Sequence, residues 1–259
     1  MDRYNISFAG AGRVGAALCL EMFSIGYNID LIVSESDTRG KTLAGSCNSR
    51  WSSSLDFPEE SDLIIVAVPD HRLAAVLADI KCSSHTLVAH TAGSYGLDVF
   101  PETIVKKGVF YPLQTFSPGR NITFRDLPVF VEASDEESLS FLREAGTSIG
   151  GNVHTASLEQ RRMLHVSAVF ASNFTNHLLT QSREIARMAG FDLDILYPLI
   201  TETISKAVEK GPENSQTGPA VRNDRNTIEK HLQLLSYSPE LQEIYKELTN
   251  SIINYYNKN

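Results

Sequence analysis

Apolar positions follow two different rhythms along this chain. Up to about residue 153, short apolar runs alternate with stretches of helical spacing. Tyr4–Ala9 reads as a strand that runs into glycines, and Val14–Ile25 has helical spacing. Ile29–Val33 is a second strand. Leu63–Val68 is a continuous apolar run closed by Pro69, as expected for a strand buried on both faces. His71–Ile80 is helical in pattern; Thr86–Ala89, Val109–Tyr111 and Pro128–Glu132 complete six expected strands. Repeated strand–helix order predicts a parallel sheet with helices on both faces.

The second rhythm is helical throughout. Ser157–Ala189 holds neither Pro nor Gly and predicts one helix of 33 positions, about 50 Å long at 1.5 Å per residue. Helices are expected over Asp192–Lys210, Asn226–Leu235 and Pro239–Tyr256, with Asn226 and Glu229 spaced as a capping box. The fold class is therefore α/β: a doubly wound sheet followed by an all-α C-terminal domain, with limits at 1–153 and 154–259.

Composition narrows the function. Of 259 residues, 23 are Lys or Arg and 31 Asp or Glu, a net charge of −8. An acidic chain repels a polyphosphate backbone, so nucleic acid is not an expected partner. The opening MDRYNISFAGAGRVG has no basic stretch leading into a long apolar run, and no run of about 18 apolar residues occurs. Neither a signal peptide nor a membrane span is expected. Three cysteines without a CxxC argue against a disulfide framework or a Cys-rich metal site. A reduced, cytoplasmic protein without a metal is the expectation.

Chemistry enters at Gly10-Ala11-Gly12-Arg13-Val14-Gly15. A GxGxxG between a strand and a helix is the dinucleotide fingerprint. Gly10 permits the tight turn, Gly12 admits the pyrophosphate, and Gly15 lets helix and strand approach. Glu35, about 20 residues further on, stands where an acid holds the ribose 2′-hydroxyl of NAD. Ser34, Ser36 and Arg39 suit the 2′-phosphate of NADP instead. NADP is preferred here, NAD is the alternative, and a deazaflavin is a third. Val68 and Pro69 shape the floor beside the cofactor, and Asp70 reads as a helix cap.

Loops at the carboxyl ends of parallel strands form the ligand crevice. His90, Thr91 and Gly93 follow the fourth strand and are expected to bind substrate, or else to form a polar turn. Gln114 and Thr115 follow the fifth strand and carry the same expectation, with a packed turn as the alternative. On the long helix, His165, Ser172 and Asn176 share a face at i, i+7 and i+11, with Asn173 at its edge. His165 suits a proton donor and Asn173 a ligand of the reacting oxygen; a buried, hydrogen-bonded histidine is the other reading. Arg222, two residues before Asp224, suits a carboxylate or a surface ion pair.

In order, GAGRVG, VPD, HTAG, YPLQTF, HVSAVFASNF and QTGPAVRND span nearly the whole chain. The set resembles the Rossmann-like oxidoreductase family with a C-terminal domain of unknown function, DUF2520. More distantly it is similar to pyrroline-5-carboxylate reductase, ketopantoate reductase and 3-hydroxyacid dehydrogenases. The resemblance implies an NADP-type domain followed by a helical domain that makes a homodimer. It also implies an oxidoreductase acting on a small carbonyl, imine or hydroxy acid. One departure stands out. The dehydrogenases carry a catalytic Lys one turn before an Asn on the long helix; Asn173 matches the Asn, but Val169 takes the Lys position. His165 lies a turn earlier. A dinucleotide-binding sensor without catalysis is the alternative function.

Overall fold

The computed structural model describes residues 4–117, 120 and 122–256. Residues 1–3 and 257–259, at the outer ends of the two expected domains, lie outside the described residues. The chain divides into two compact units, Met1–His177 and Leu178–Asn259.

In the first unit, eight strands form one sheet among the described residues. They are β1 (Asn5–Ala9), β2 (Asn28–Val33), β3 (Arg50–Ser52), β4 (Leu63–Val66), β5 (Leu87–His90), β6 (Lys106–Pro112), β7 (Pro128–Ala133) and β8 (Asn152–Thr155), in the order β3-β2-β1-β4-β5-β6-β7-β8. The order reverses at β1, which places a crevice beyond the carboxyl ends of β1 and β4. All pairs are parallel except β6 with β7. The sheet is thus mostly parallel, as the strand–helix order predicts, with one antiparallel step. A parallel neighbour needs a crossover, and no helix occurs among the described residues between Pro112 and Pro128.

Alternation along the strands divides the core into two layers. Ile6, Phe8, Leu63 and Ile65 cluster with Leu18 and Met22 of α1 (Arg13–Ser24) and with Leu142 of α4 (Glu136–Ser148). Ala9, Ile64, Val66 and Val88 cluster with Leu73 and Leu77 of α3 (Leu73–Asp79). Burial on both faces accounts for the unbroken LIIV of β4. Between β2 and β3 runs α2 (Asp37–Ser46). The expected domain limit at 153/154 falls inside β8, and the first unit continues through α5 (Leu158–Ala168).

Ser157 opens α5 with a capping box completed by Gln160. The long helix then departs from expectation. Val169–Phe174 is π-helical, and α6 (Thr175–Met188) resumes the regular form. Thr175 Oγ1 donates to the Phe170 carbonyl at 3.2 Å, taking an acceptor within the widened turn. A π turn shifts the helical phase, so the i, i+7, i+11 stripe read through Ser172 and Asn176 does not survive it.

In the second unit, α7 (Tyr197–Lys210) follows a 3-10 turn over Leu193–Leu196, so Asp192–Lys210 is not one regular helix. Next come α8 (Arg225–Leu234) and α9 (Pro239–Tyr256). Asp224, not Asn226, caps α8: its carboxylate accepts the Thr227 N–H at 3.1 Å and the Thr227 hydroxyl at 2.8 Å. His231 Nδ1 and the Tyr245 hydroxyl, 2.7 Å apart, tie α8 to α9.

Candidate functional site

The glycine loop shows three different uses of a missing side chain. Gly10 has φ of +108°, and a Cβ there would stand 2.3 Å from the Ala67 carbonyl oxygen. A Cβ on Gly15 would stand 2.3 Å from the Gly10 carbonyl oxygen. A Cβ on Gly12 would meet only the Ala67 oxygen, at 3.8 Å. Gly10 and Gly15 are thus required by the fold itself, whereas among the described residues only the Ala67 oxygen comes within 4 Å of a Cβ on Gly12. Gly12 precedes α1 as its cap residue and supplies no side-chain cap, and the first turn holds no acid. A helix N-terminus without such a cap carries unpaired N–H groups and a partial positive charge.

This loop lines a cleft of about 470 Å³ together with Ser34, Glu35, Ser36, Arg39, Val68 and Pro69. Gly10, Ala11 and Gly12 line it too. The side chain of Arg13 lines another cleft, with Phe116 and Arg120. Val14 packs against the core and Gly15 is buried, and neither lines this cleft. At the end of β2, Ser34 Oγ accepts the Ser36 N–H at 3.2 Å, and Ser36 Oγ caps α2 by accepting the Arg39 N–H. Glu35 is paired with Arg72, which also lines the cleft. Arg39 has no ion-pair partner among the described residues. Two guanidinium groups therefore line the cleft, and of its two acids, Glu35 and Asp79, Glu35 is paired with Arg72. Arg72 was not singled out from the sequence; the signal available was its place in VPDHR, directly after β4.

Further along the same edge of the sheet, β5 ends in His90. This ring is fully buried and stacks on Phe100 with centroids 5.4 Å apart. Its Nδ1 accepts the Ala92 N–H at 3.2 Å and its Nε2 donates to the Gly96 carbonyl at 3.3 Å. Both nitrogens are used within the loop, so His90 holds the loop and offers a ligand nothing. Burial, opposed only in part by the Gly96 carbonyl, pushes its pKa down to about 4. Thr91 is half-buried and donates its backbone N–H to Val66 at 3.1 Å. Gly93 is buried against the ring of Tyr111.

Tyr111 stands near the end of β6. Its hydroxyl lies 3.1 Å from His165 Nδ1 on α5. Burial, and then the Asp70 carboxylate, raises the phenol above its usual range. Asp70 opens the 3-10 turn Asp70–Arg72 whose cap is Pro69, so Asp70 is not the cap expected of it. Tyr111 was hidden because a β6 hydroxyl and a histidine 54 positions later share no local pattern.

Other sequence-predicted residues are not drawn into this pair. Gln114 and Thr115 are exposed and bond one another, Gln114 Oε1 accepting the Thr115 N–H at 2.8 Å. Asn173 is exposed within the π turn. Arg222 is exposed in the second unit and helps hold the Asp224 carboxyl below its usual range, after the two Thr227 hydrogen bonds.

The Rossmann-like domain model matches residues 1–115, and the domain of unknown function DUF2520 matches residues 127–252. Comparison with curated proteins found no match. The solved structure of a Bacteroides fragilis protein, provisionally designated an NADP oxidoreductase, is 33% identical over 97% of this chain and 98% of that one, with a TM-score of 0.87. A reductive aminase from Aspergillus terreus, in complex with NADPH and ethyl-5-oxohexanoate, is 12% identical over 98% and 94%, with a TM-score of 0.68. A 1-pyrroline-5-carboxylate reductase from Streptococcus pyogenes is 13% identical over 98% and 100%, with a TM-score of 0.62. The last two likenesses establish the fold alone. The glycine loop at a strand-order reversal and the full-length likeness to the Bacteroides protein agree: this chain belongs to the family that joins a Rossmann-like domain to DUF2520.

Proposed function

We propose that the protein is a nicotinamide-dinucleotide oxidoreductase that uses NADP(H) and acts on a small carbonyl, imine or hydroxy acid. The observation that carries this reading is the cleft over Gly12, open to the unfilled N-terminus of α1 and bordered by Arg39 and Arg72. The pyrophosphate would lie over Gly12, with the α1 N–H groups as donors. A 2′-phosphate would take Ser34, Ser36 and the two arginines. Arg39 lines the cleft with no ion-pair partner among the described residues, which favours NADP over NAD; Arg72 and Glu35 are paired, and either would leave the other to meet a ribose. The Bacteroides relative's designation as an NADP oxidoreductase points the same way.

When bound, the nicotinamide supplies or accepts a hydride. The chain's part is to orient the substrate and move one proton. His165 is the proposed donor, with Thr91 and Gly93 in the adjacent loop and Asn173 as a ligand of the reacting oxygen. Three free thiols, Cys19, Cys47 and Cys82, fit a reducing compartment and support a cytoplasmic location. A homodimer through the helical residues after 153 completes the proposal. Loss of nicotinamide absorbance with a panel of cyclic imines and 2-oxo acids tests the activity. A substrate so found should be turned over about a hundredfold more slowly by His165→Gln. Equal turnover by that variant would remove His165 from the chemistry.

A further inference from the structure

We infer that Tyr111 is a positioning residue that donates its hydroxyl proton to His165 Nδ1, holding His165 as the Nε2–H form with that N–H presented as the proton donor. This rests on the reductase reading above. The pair is 3.1 Å apart. Its direction follows from acid strength: the phenol is the better acid and the ring nitrogen the better base, so the oxygen donates and the nitrogen accepts. A neutral imidazole whose Nδ1 accepts carries its hydrogen on Nε2.

The surroundings are built to hold this arrangement. A Cβ on Gly93 would lie 2.7 Å from Tyr111 Cζ, the carbon that bears the hydroxyl, so only glycine leaves the phenol in place. The loop carrying Gly93 is fastened to α5, the helix that carries His165. Arg161 Nη2 donates to the Tyr95 carbonyl at 2.8 Å, and Arg162 Nε donates to the Ser94 carbonyl at 3.1 Å. Arg161 is fully buried and pairs with Glu132 of β7 at 2.5 Å. One helix thus fixes both the imidazole and the loop that seats its partner, as a preorganised proton donor requires.

The proton account balances. A bound dihydronicotinamide would give up a hydride from its own C–H bond and be oxidised as the substrate carbon is reduced; as the substrate π bond breaks, the oxygen or nitrogen takes the Nε2 proton. Nδ1 takes the Tyr111 proton, and the phenolate oxygen takes one from water. One proton is consumed from solvent per turnover, and the protein ends as it began after the imidazole returns to its starting form.

The test reads the ring directly in the protein without cofactor. In ¹⁵N-histidine-labelled protein at pH 8, the His165 resonances are assigned by their loss in His165→Gln. We expect Nε2 to be pyrrole-like and Nδ1 pyridine-like, with Tyr111→Phe moving both toward a mixed average. The same Tyr111→Phe change should lower kcat about tenfold with little change in KM. An Nδ1–H form in the wild type, or a ratio that Tyr111→Phe leaves unmoved, overturns the inference; the wild-type spectrum alone decides if that variant fails to fold. Failure of the parent reading is separate: it shows as no NADPH binding, whatever the histidine spectrum.

Discussion

Gly10 and Gly12 are identical residues two positions apart, and the structure asks opposite things of them. A methyl at Gly10 would collide with the Ala67 carbonyl at a φ of +108°. Gly10→Ala should cost about 2–4 kcal/mol of stability. A methyl at Gly12 collides with nothing in the chain. Gly12→Ala should unfold within about 1 kcal/mol of the wild type, yet bind NADPH at least about tenfold more weakly, because the methyl would stand where we propose the pyrophosphate lies. Urea midpoints paired with NADPH titrations check both; equal stability losses with equal binding losses would contradict the distinction. The tight turn at Gly10 and the close packing at Gly15 were legible because both follow from spacing within one turn. Arg72 and Tyr111 were not, since the first reaches the cleft from a neighbouring strand's loop and the second meets a partner 54 residues away.

At the level of elements, length decided what could be read. The six strands expected from apolar runs all occur, while β3 has three residues and β8 has four, mostly exposed, too few for a period to show. The π turn was invisible because Val169–Phe174 contains ordinary helix formers and no breaker. The loop after β5 looked like a ligand loop by its polar content, yet His90 spends both nitrogens inside it. That burial has a pH consequence. The folded ring has a pKa of about 4 and the unfolded one about 6.5, so between these values the unfolded chain binds a proton that the folded chain refuses. Stability from this group is complete above pH 6.5 and falls as the pH drops toward 4, by roughly 3 kcal/mol. Denaturant unfolding of wild type and His90→Gln across that range should show this part of the slope only in the wild type; parallel profiles would contradict it.

For the molecule as a whole, the second unit leaves unusually large apolar side chains in solvent. Val208 is 81% exposed, Leu234 74% and Leu199 64%. Large exposed apolar groups mark association surfaces, and twofold dimers are the commonest outcome. Light scattering should therefore give about twice the 28.6 kDa chain mass; a single 28.6 kDa species would refute the dimer. The central claim is the dinucleotide. Calorimetric titration of the protein with NADPH and then NADH tests it most directly. We expect a Kd of order 1 μM for NADPH and binding about tenfold weaker or worse for NADH, since Arg39 and Arg72 line the cleft in which we propose the 2′-phosphate lies. Heats indistinguishable from dilution for both nucleotides would contradict it.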